Sequence, residues 1–358
     1  FDSLSNEMNT RHKRNIITFA PFASLAFVAL AGAPFRFADG NNGRYLTTVY
    51  RIIDPTLFPA DPLVDAFARF QSIFYTGFGL AFKFLSIQVL DVEMAFYALY
   101  VLSKILLMAV LYFLVKPVDE KGWAFLLLGA WAVHSKSANV SGESLFAPTM
   151  NHAVIAILLG ITALACYLRG KTFLSWVILA FSLFVHSINS LHLALMLAPV
   201  MFWQARGRLN AKEWAGLGLF AAAFLAYLAW MTPPAFTAQE TALFLQAKGE
   251  MVHISPLAHP VTGWLAIVGR VALAFLAWKV YLADQKKLAG FMLAMLAGAF
   301  LAPTLGFLAI WTGQLQLAQL QPLRMFEWVN FLAFLLIILA TFPAWQKNRW
   351  LAVLFGVN

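Results

Sequence analysis

Residues 94–115 read M-A-F-Y-A-L-Y-V-L-S-K-I-L-L-M-A-V-L-Y-F-L-V, followed at once by Lys116. The run is 22 residues long with one charge, Lys104. At 1.5 Å per residue a helix of this length reaches about 33 Å, enough to cross a hydrocarbon core of about 30 Å. It shows no alternation of period two, so a barrel strand is excluded. The reading extends to the whole chain. Hydrophobic residues make up 61% and charged residues 11% of 358, with 34 phenylalanines. A water-soluble domain carries about 25% charged residues, so much of this surface must face lipid.

Further apolar runs occupy 16–35, 122–134, 153–168, 172–185, 190–204, 214–231, 262–282, 288–311 and 325–345. The expected fold is therefore all-α: a single polytopic transmembrane helical bundle over 1–358, with about ten spans. Residues 63–90 are apolar but broken by Asp65, Arg69, Gln71, Lys83 and Gln88. If they do not cross, 14 of the 25 basic residues fall in short turns or the N-terminal tail on one side. Among them are Arg11, Lys13, Arg14, Lys116, Arg169, Arg206, Arg208, Lys212, Lys286 and Lys347. If the segment crosses, that asymmetry disappears. The positive-inside rule thus makes the N-terminus cytoplasmic and turns 63–90 into juxtamembrane helices on the outer face. The long connections, 36–93, 135–152, 232–261 and 312–324, all fall outside, where a site is expected. The net charge of +9 marks cytoplasmic anchors, so nucleic acid is not an expected partner. Membrane lipids and other membrane proteins are. The location that follows is a multi-pass membrane protein, of the bacterial inner-membrane kind. Cys166 is the sole cysteine, so no intrachain disulfide forms. The chain begins at Phe1 and ends in a fresh apolar run, 350–357, and reads as a trimmed or partial sequence.

Four successive runs between 122 and 204 are shorter than a full crossing. Short spans need a thinned bilayer or a protein-lined recess that admits polar groups. The turn His186-Ser187-Ile188-Asn189-Ser190-Leu191-His192 should lie in such a recess.

The loop at 36–62 carries Asp39, Asp54 and Asp61 with Arg36, Arg44 and Arg51 between them. A carboxylate there can act as a general base or hold a divalent metal. Asp-Pro pairs and Asp/Arg mixtures are also what ordinary solvated turns contain. Arg270 lies inside a span and Arg324 on the outer side, each against the usual charge cost. Snorkelling and an i,i+3 pair with Glu327 are the plainer explanations. His253 and His259 are six apart, a spacing that suits no helical zinc pair.

The arrangement of a first span, an acidic outer loop, juxtamembrane helices and many short spans resembles the GT-C superfamily of polytopic glycosyltransferases. Asp39…Gly43-Arg44-Tyr45-Leu46 resembles the D-E-x-x-Y pattern of their first outer loop, with Gly40 in place of the second acid. D-P-T-L-F-P-A-D-P, residues 54–62, resembles uncharacterised bacterial GT-C-like families with an acid at the Asp61 position. Phe184-Val185-His186 resembles their F-x-H turn, and Gln319-Leu320-Gln321-Pro322-Leu323-Arg324 their Q-P-x-R motif. The resemblance implies transfer of a sugar from a polyprenyl-phosphate donor to an acceptor at the outer face. Asp39 and Asp61 would be catalytic. Arg270, Arg324, Gln321, His186, His259 and Tyr45 would bind substrate, and no metal ligand is assigned. Two other readings stand beside it. A non-catalytic membrane subunit fits the missing second acid. A transporter or lipid carrier would use Arg270, Lys104 and His186 along a pathway, although no internal repeat is found.

Overall fold

A computed structural model of the protein describes residues 35–38, 41–62, 64–65, 72–119, 123–134, 150–231, 237–239, 242–243, 246, 253–347 and 350. The described residues are helical and contain no strand. Helix α1 spans Asn41–Ile53 and α2 Ile73–Phe84. Then follow α3 (Val92–Val115), α4 (Trp123–His134), α5 (His152–Leu168), α6 (Thr172–Val185) and α7 (Ser187–Gln204). The remainder are α8 (Ala211–Trp230), α9 (Val261–Ala277, ending in a π-helical turn to Leu282), α10 (Lys286–Thr312), α11 (Leu315–Gln319) and α12 (Met325–Lys347). Five stretches are long and apolar enough to cross a membrane: Val92–Val115, Ala211–Trp230, Val261–Leu282, Leu288–Thr312 and Gln316–Lys347. The expected run 16–35 lies outside the described residues except for Phe35.

The helix ends follow from local chemistry. Asn151 Oδ1 accepts the Val154 N–H at 3.1 Å and starts α5. Asn210 and Glu213 form a reciprocal capping box that starts α8. Gly170, at φ 73°, closes α5: its N–H reaches the Tyr167 carbonyl while Lys171 N–H reaches that of Cys166. This paired closure needs the left-handed conformation that glycine adopts freely.

Helix α12 is the axis of the bundle. In its most apolar window 94% of residues are buried, against α9, α10, α4 and α7. Helices α3, α5, α6 and α8 pack in that order beside it, with α5 and α6 antiparallel. In lipid, helices gain little by hiding apolar surface from one another, so close backbone approach and interlocking shape must hold them. Gly160 of α5 makes room for the Trp328 ring, and Gly298 of α10 for Met196 and Val329. Phe113, Leu225, Val268 and Phe300 instead point outward and are exposed, as a lipid-facing surface requires.

The turns after α3, α5, α7 and α9 gather at one end, which carries Lys116, Arg169, Lys171, Arg206, Arg208, Lys212 and Lys286. An Arg169 guanidinium N–H donates to the Phe113 carbonyl, tying two of those turns together. At the opposite, distal end α1 and α2 pair, with Ile52 pressed on Gly79. They build a second apolar core with Phe96, Tyr100, Met150, Val154 and Val185. Residues 41–53 thus form a helix inside the segment expected as an open loop. Its apolar positions Leu46 and Val49 are fully buried while Arg44 is exposed.

Candidate functional site

The distal end collects polar side chains that the apolar helices leave at their tips. Helix α6 stops at His186, whose ring then starts α7: Nδ1 accepts the Asn189 N–H at 3.3 Å. That contact places the ring proton on Nε2. Burial pushes the His186 pKa down to about 4, so the ring is neutral at pH 7. His152, at the first turn of α5, stacks on it with ring centroids 4.6 Å apart. The Tyr75 hydroxyl sits 3.2 Å from His152 Nδ1. Burial raises the Tyr75 phenol far above its ordinary value and keeps it protonated. Tyr45 stacks on Tyr75 at 5.2 Å and meets His152 edge-on at 5.1 Å. Below the ring stack, Ser190 Oγ donates to Ser182 Oγ at 2.7 Å, and Ser72 Oγ to the Val185 carbonyl at 2.8 Å. The polar turn is therefore buried, with Tyr45 of α1 and Tyr75 of α2 packed on His152 beside it.

The second half of the site is the stretch before α12. Gln321 is left-handed at φ 46°, and Pro322 opens a short 3₁₀ turn. Three hydrogen bonds pin this turn and the start of α12. Leu323 N–H donates to the His253 carbonyl at 3.1 Å. His192 Nε2 lies 2.9 Å from the Leu320 carbonyl. Trp328 Nε1 donates to the Asn189 carbonyl at 3.0 Å. Arg324 and Glu327 are both buried here, with Nε and Oε1 3.9 Å apart. Arg324 also lies within electrostatic reach of Tyr45: burial raises that phenol's pKa, and the guanidinium pulls it back. Asn189 Nδ2, His192 Nδ1 and Glu327 Oε1 are buried without a hydrogen-bond partner among the described residues. Such atoms favour a polar guest, because each is costly to leave unmatched.

The structure thus brings Tyr45, His186, Gln321 and Arg324 to one end. His259 is attached at its margin. Its ring meets Trp264 edge-on at 6.2 Å, and Trp264 in turn packs on Phe326 and donates to the Pro256 carbonyl. Arg270 is engaged elsewhere. Its guanidinium donates to Asn330 Oδ1 at 2.6 Å and lies over the Phe334 ring. Asn330 follows Arg324 by six positions, about 9 Å along the helix. Lys104 is buried in α3 with its Nζ 4.8 Å from the Tyr100 ring centroid.

The loop carboxylates make local contacts. Asp54 is half-buried and accepts from Thr56 N–H and Oγ1, which lowers its pKa. Asp61 accepts from Val64 N–H at 3.2 Å, and Asp65 pairs with Arg51 at 2.5 Å. Asp39 lies outside the described residues. No cluster of three or more His, Cys, Asp or Glu residues that could hold a metal occurs among the described residues. Sequence reading missed Tyr75 and His152. The available signal was a polar residue at the tip of an apolar run, as with Asn151-His152.

No family model, curated protein or solved structure matches this chain.

Proposed function

We propose that this protein is a GT-C-like membrane glycosyltransferase of about ten spans, with its N-terminus cytoplasmic and its distal end outside. It would take a sugar from a polyprenyl-phosphate donor. The observation that carries this reading is the convergence of Tyr45 and buried Arg324 at the end away from the basic turns. A planar guanidinium suits a phosphate oxygen pair. Neighbouring Gln321 and the neutral His186 offer hydrogen bonds to sugar hydroxyls. In the reaction a carboxylate takes the acceptor hydroxyl's proton and the oxygen attacks the anomeric carbon. The polyprenyl phosphate then leaves, held by Arg324. Asp39 is the carboxylate assigned to this step by resemblance, with Asp61 second. The test is release of lipid phosphate from polyprenyl-phosphate sugars by the purified protein in nanodiscs. Asp39→Asn should abolish release, and Arg324→Gln should raise the donor concentration required.

A second reading is favoured by one specific observation: Asp54, Asp61 and Asp65 are all engaged locally. A non-catalytic membrane subunit would show this. Donor binding that depends on Arg324, with no lipid phosphate released from any donor, would select it.

A further inference from the structure

At the basic end a cavity of about 320 Å³ opens between the ends of α5 and α7 and the starts of α6, α8 and α10. Its polar wall consists of Tyr167, Thr172, Gln204, Glu213 and Lys286, over an apolar floor of Leu168 and Met201. The volume lies within the range of small-ligand sites. Glu213 is fixed in place, since one of its oxygens accepts the Asn210 N–H at 2.9 Å in the capping box. The Tyr167 hydroxyl donates to Gln204 Oε1 and lies within electrostatic reach of Glu213. Gln204 itself is tucked against Gly290, where any Cβ would displace its amide. Lys286 is exposed and begins α10. The wall therefore offers one fixed negative group and one exposed positive group above an apolar base.

The surrounding surface fixes the depth. Phe173, Trp203 and Trp214 are exposed on the same helix ends, and Phe202 meets Trp214 edge-on at 5.6 Å. Aromatic rings at helix ends, beside lysine and arginine, mark a membrane–water interface. A ligand at that depth carries both a headgroup and an apolar continuation.

We infer that this cavity binds the headgroup of a zwitterionic phospholipid with a primary ammonium, of the phosphatidylethanolamine type. Its phosphate meets Lys286, and its ammonium meets Glu213 and the Gln204 carbonyl oxygen. A primary ammonium donates N–H bonds to a carboxylate, whereas a quaternary choline has no N–H to give and offers charge alone. The site therefore separates lipids that carry the same net charge. This inference needs the membrane setting but not the transferase reading, and its test involves no sugar.

The full chain, purified in detergent, is titrated with phosphatidylethanolamine and phosphatidylcholine of matched acyl chains, and thermal unfolding is followed. The expected result is a preference for phosphatidylethanolamine of about fivefold, the scale of one exposed ion pair. Glu213→Gln keeps a side-chain oxygen for the cap and should bring the two lipids to parity. Lys286→Gln should weaken both lipids alike. On the unmodified protein, stepwise N-methylation of the headgroup should erode the preference, a measurement that stands even if the variants fail to fold. Equal binding of the two lipids by the unmodified protein overturns the inference, as does a preference that survives Glu213→Gln. Soluble phosphoethanolamine acting as strongly as the lipid would also overturn it, by showing a site for a free metabolite.

Discussion

The rings of His152 and His186 lie 4.6 Å apart with only 20° between their planes. They come from the start of α5 and the junction of α6 and α7, and they meet only because those helices are antiparallel neighbours. Each has a distinct polar contact: Tyr75 Oη for His152, and the Asn189 N–H for His186. Two neutral rings can stack in this way. A proton on either would place charge in a site with little water and against a second imidazole.

Acid should therefore loosen the distal end. The folded pKa of His186 is about 4, below the unfolded value of about 6.5. Between those values the unfolded chain binds more protons, so stability rises with pH there. It is complete above about 6.5 and is lost as pH falls toward 4, by a total on the order of 3 kcal/mol. His152 stacks on the same ring, and its own pKa is lowered by burial and then by His186, so it adds to the effect, while Tyr75, neutral throughout this range, does not. Thermal unfolding at about pH 5 should begin well below that at about pH 7.5, and His186→Gln should shrink the difference. An equal difference in that variant would assign the pH sensitivity to other groups.

The approach of α5 to α12 depends on Gly160. A Cβ there would overlap the Trp328 ring, whose Nε1 also donates to the Asn189 carbonyl. Gly160→Val should destabilise the bundle by about 1–3 kcal/mol or more through overpacking. Trp328→Phe, which removes the hydrogen bond, should cost about 1–3 kcal/mol. Both are read by thermal unfolding in detergent, and combining them should give less than the sum if one contact is at stake.

Arg270 and Asn330 are predicted to form a structural pair. Asn330→Leu removes the acceptor and leaves a half-buried guanidinium over Phe334. That should cost about 1.5–3 kcal/mol, more than Arg270→Met, which takes the charge away altogether. Arg270→Met should also leave donor binding nearly intact, while Arg324→Gln weakens it. Equal losses of donor binding in the two arginine variants would return Arg270 to the donor site.

Single cysteines in a Cys166→Ser background test the orientation. Leu257 is 77% exposed near the distal end, and a cysteine there should react with an impermeant thiol reagent on intact cells. A cysteine at Arg206, in the exposed turn after α7, should react only after permeabilisation. The reverse pattern would invert the bundle and move the proposed site to the cytoplasmic side.

What the sequence by itself determined was the helical class and most helix positions. Runs expected at 94–115, 172–185 and 325–345 appear as Val92–Val115, Thr172–Val185 and Met325–Lys347. The reason is local: in lipid a backbone must satisfy its own hydrogen bonds, so a long apolar run has one regular solution. The turn at His186, expected in a recess on the ground of a short span, is buried, and the neighbours that cover it are a matter of packing. Helix Asn41–Ile53 was not legible as such. Its apolar residues are spaced among Arg44, Thr47, Thr48 and Arg51, and they are held by Gly79 and Phe74 from a helix still to come in the chain. The composition of the site was likewise decided by tertiary structure. Tyr75 meets His152 across 77 residues, His192 meets Leu320 across 128, and Asn189 meets Trp328 across 139. Only the packing of α12 among its neighbours chooses those partners, because a polar group at a helix tip bonds whatever the fold brings within about 3 Å.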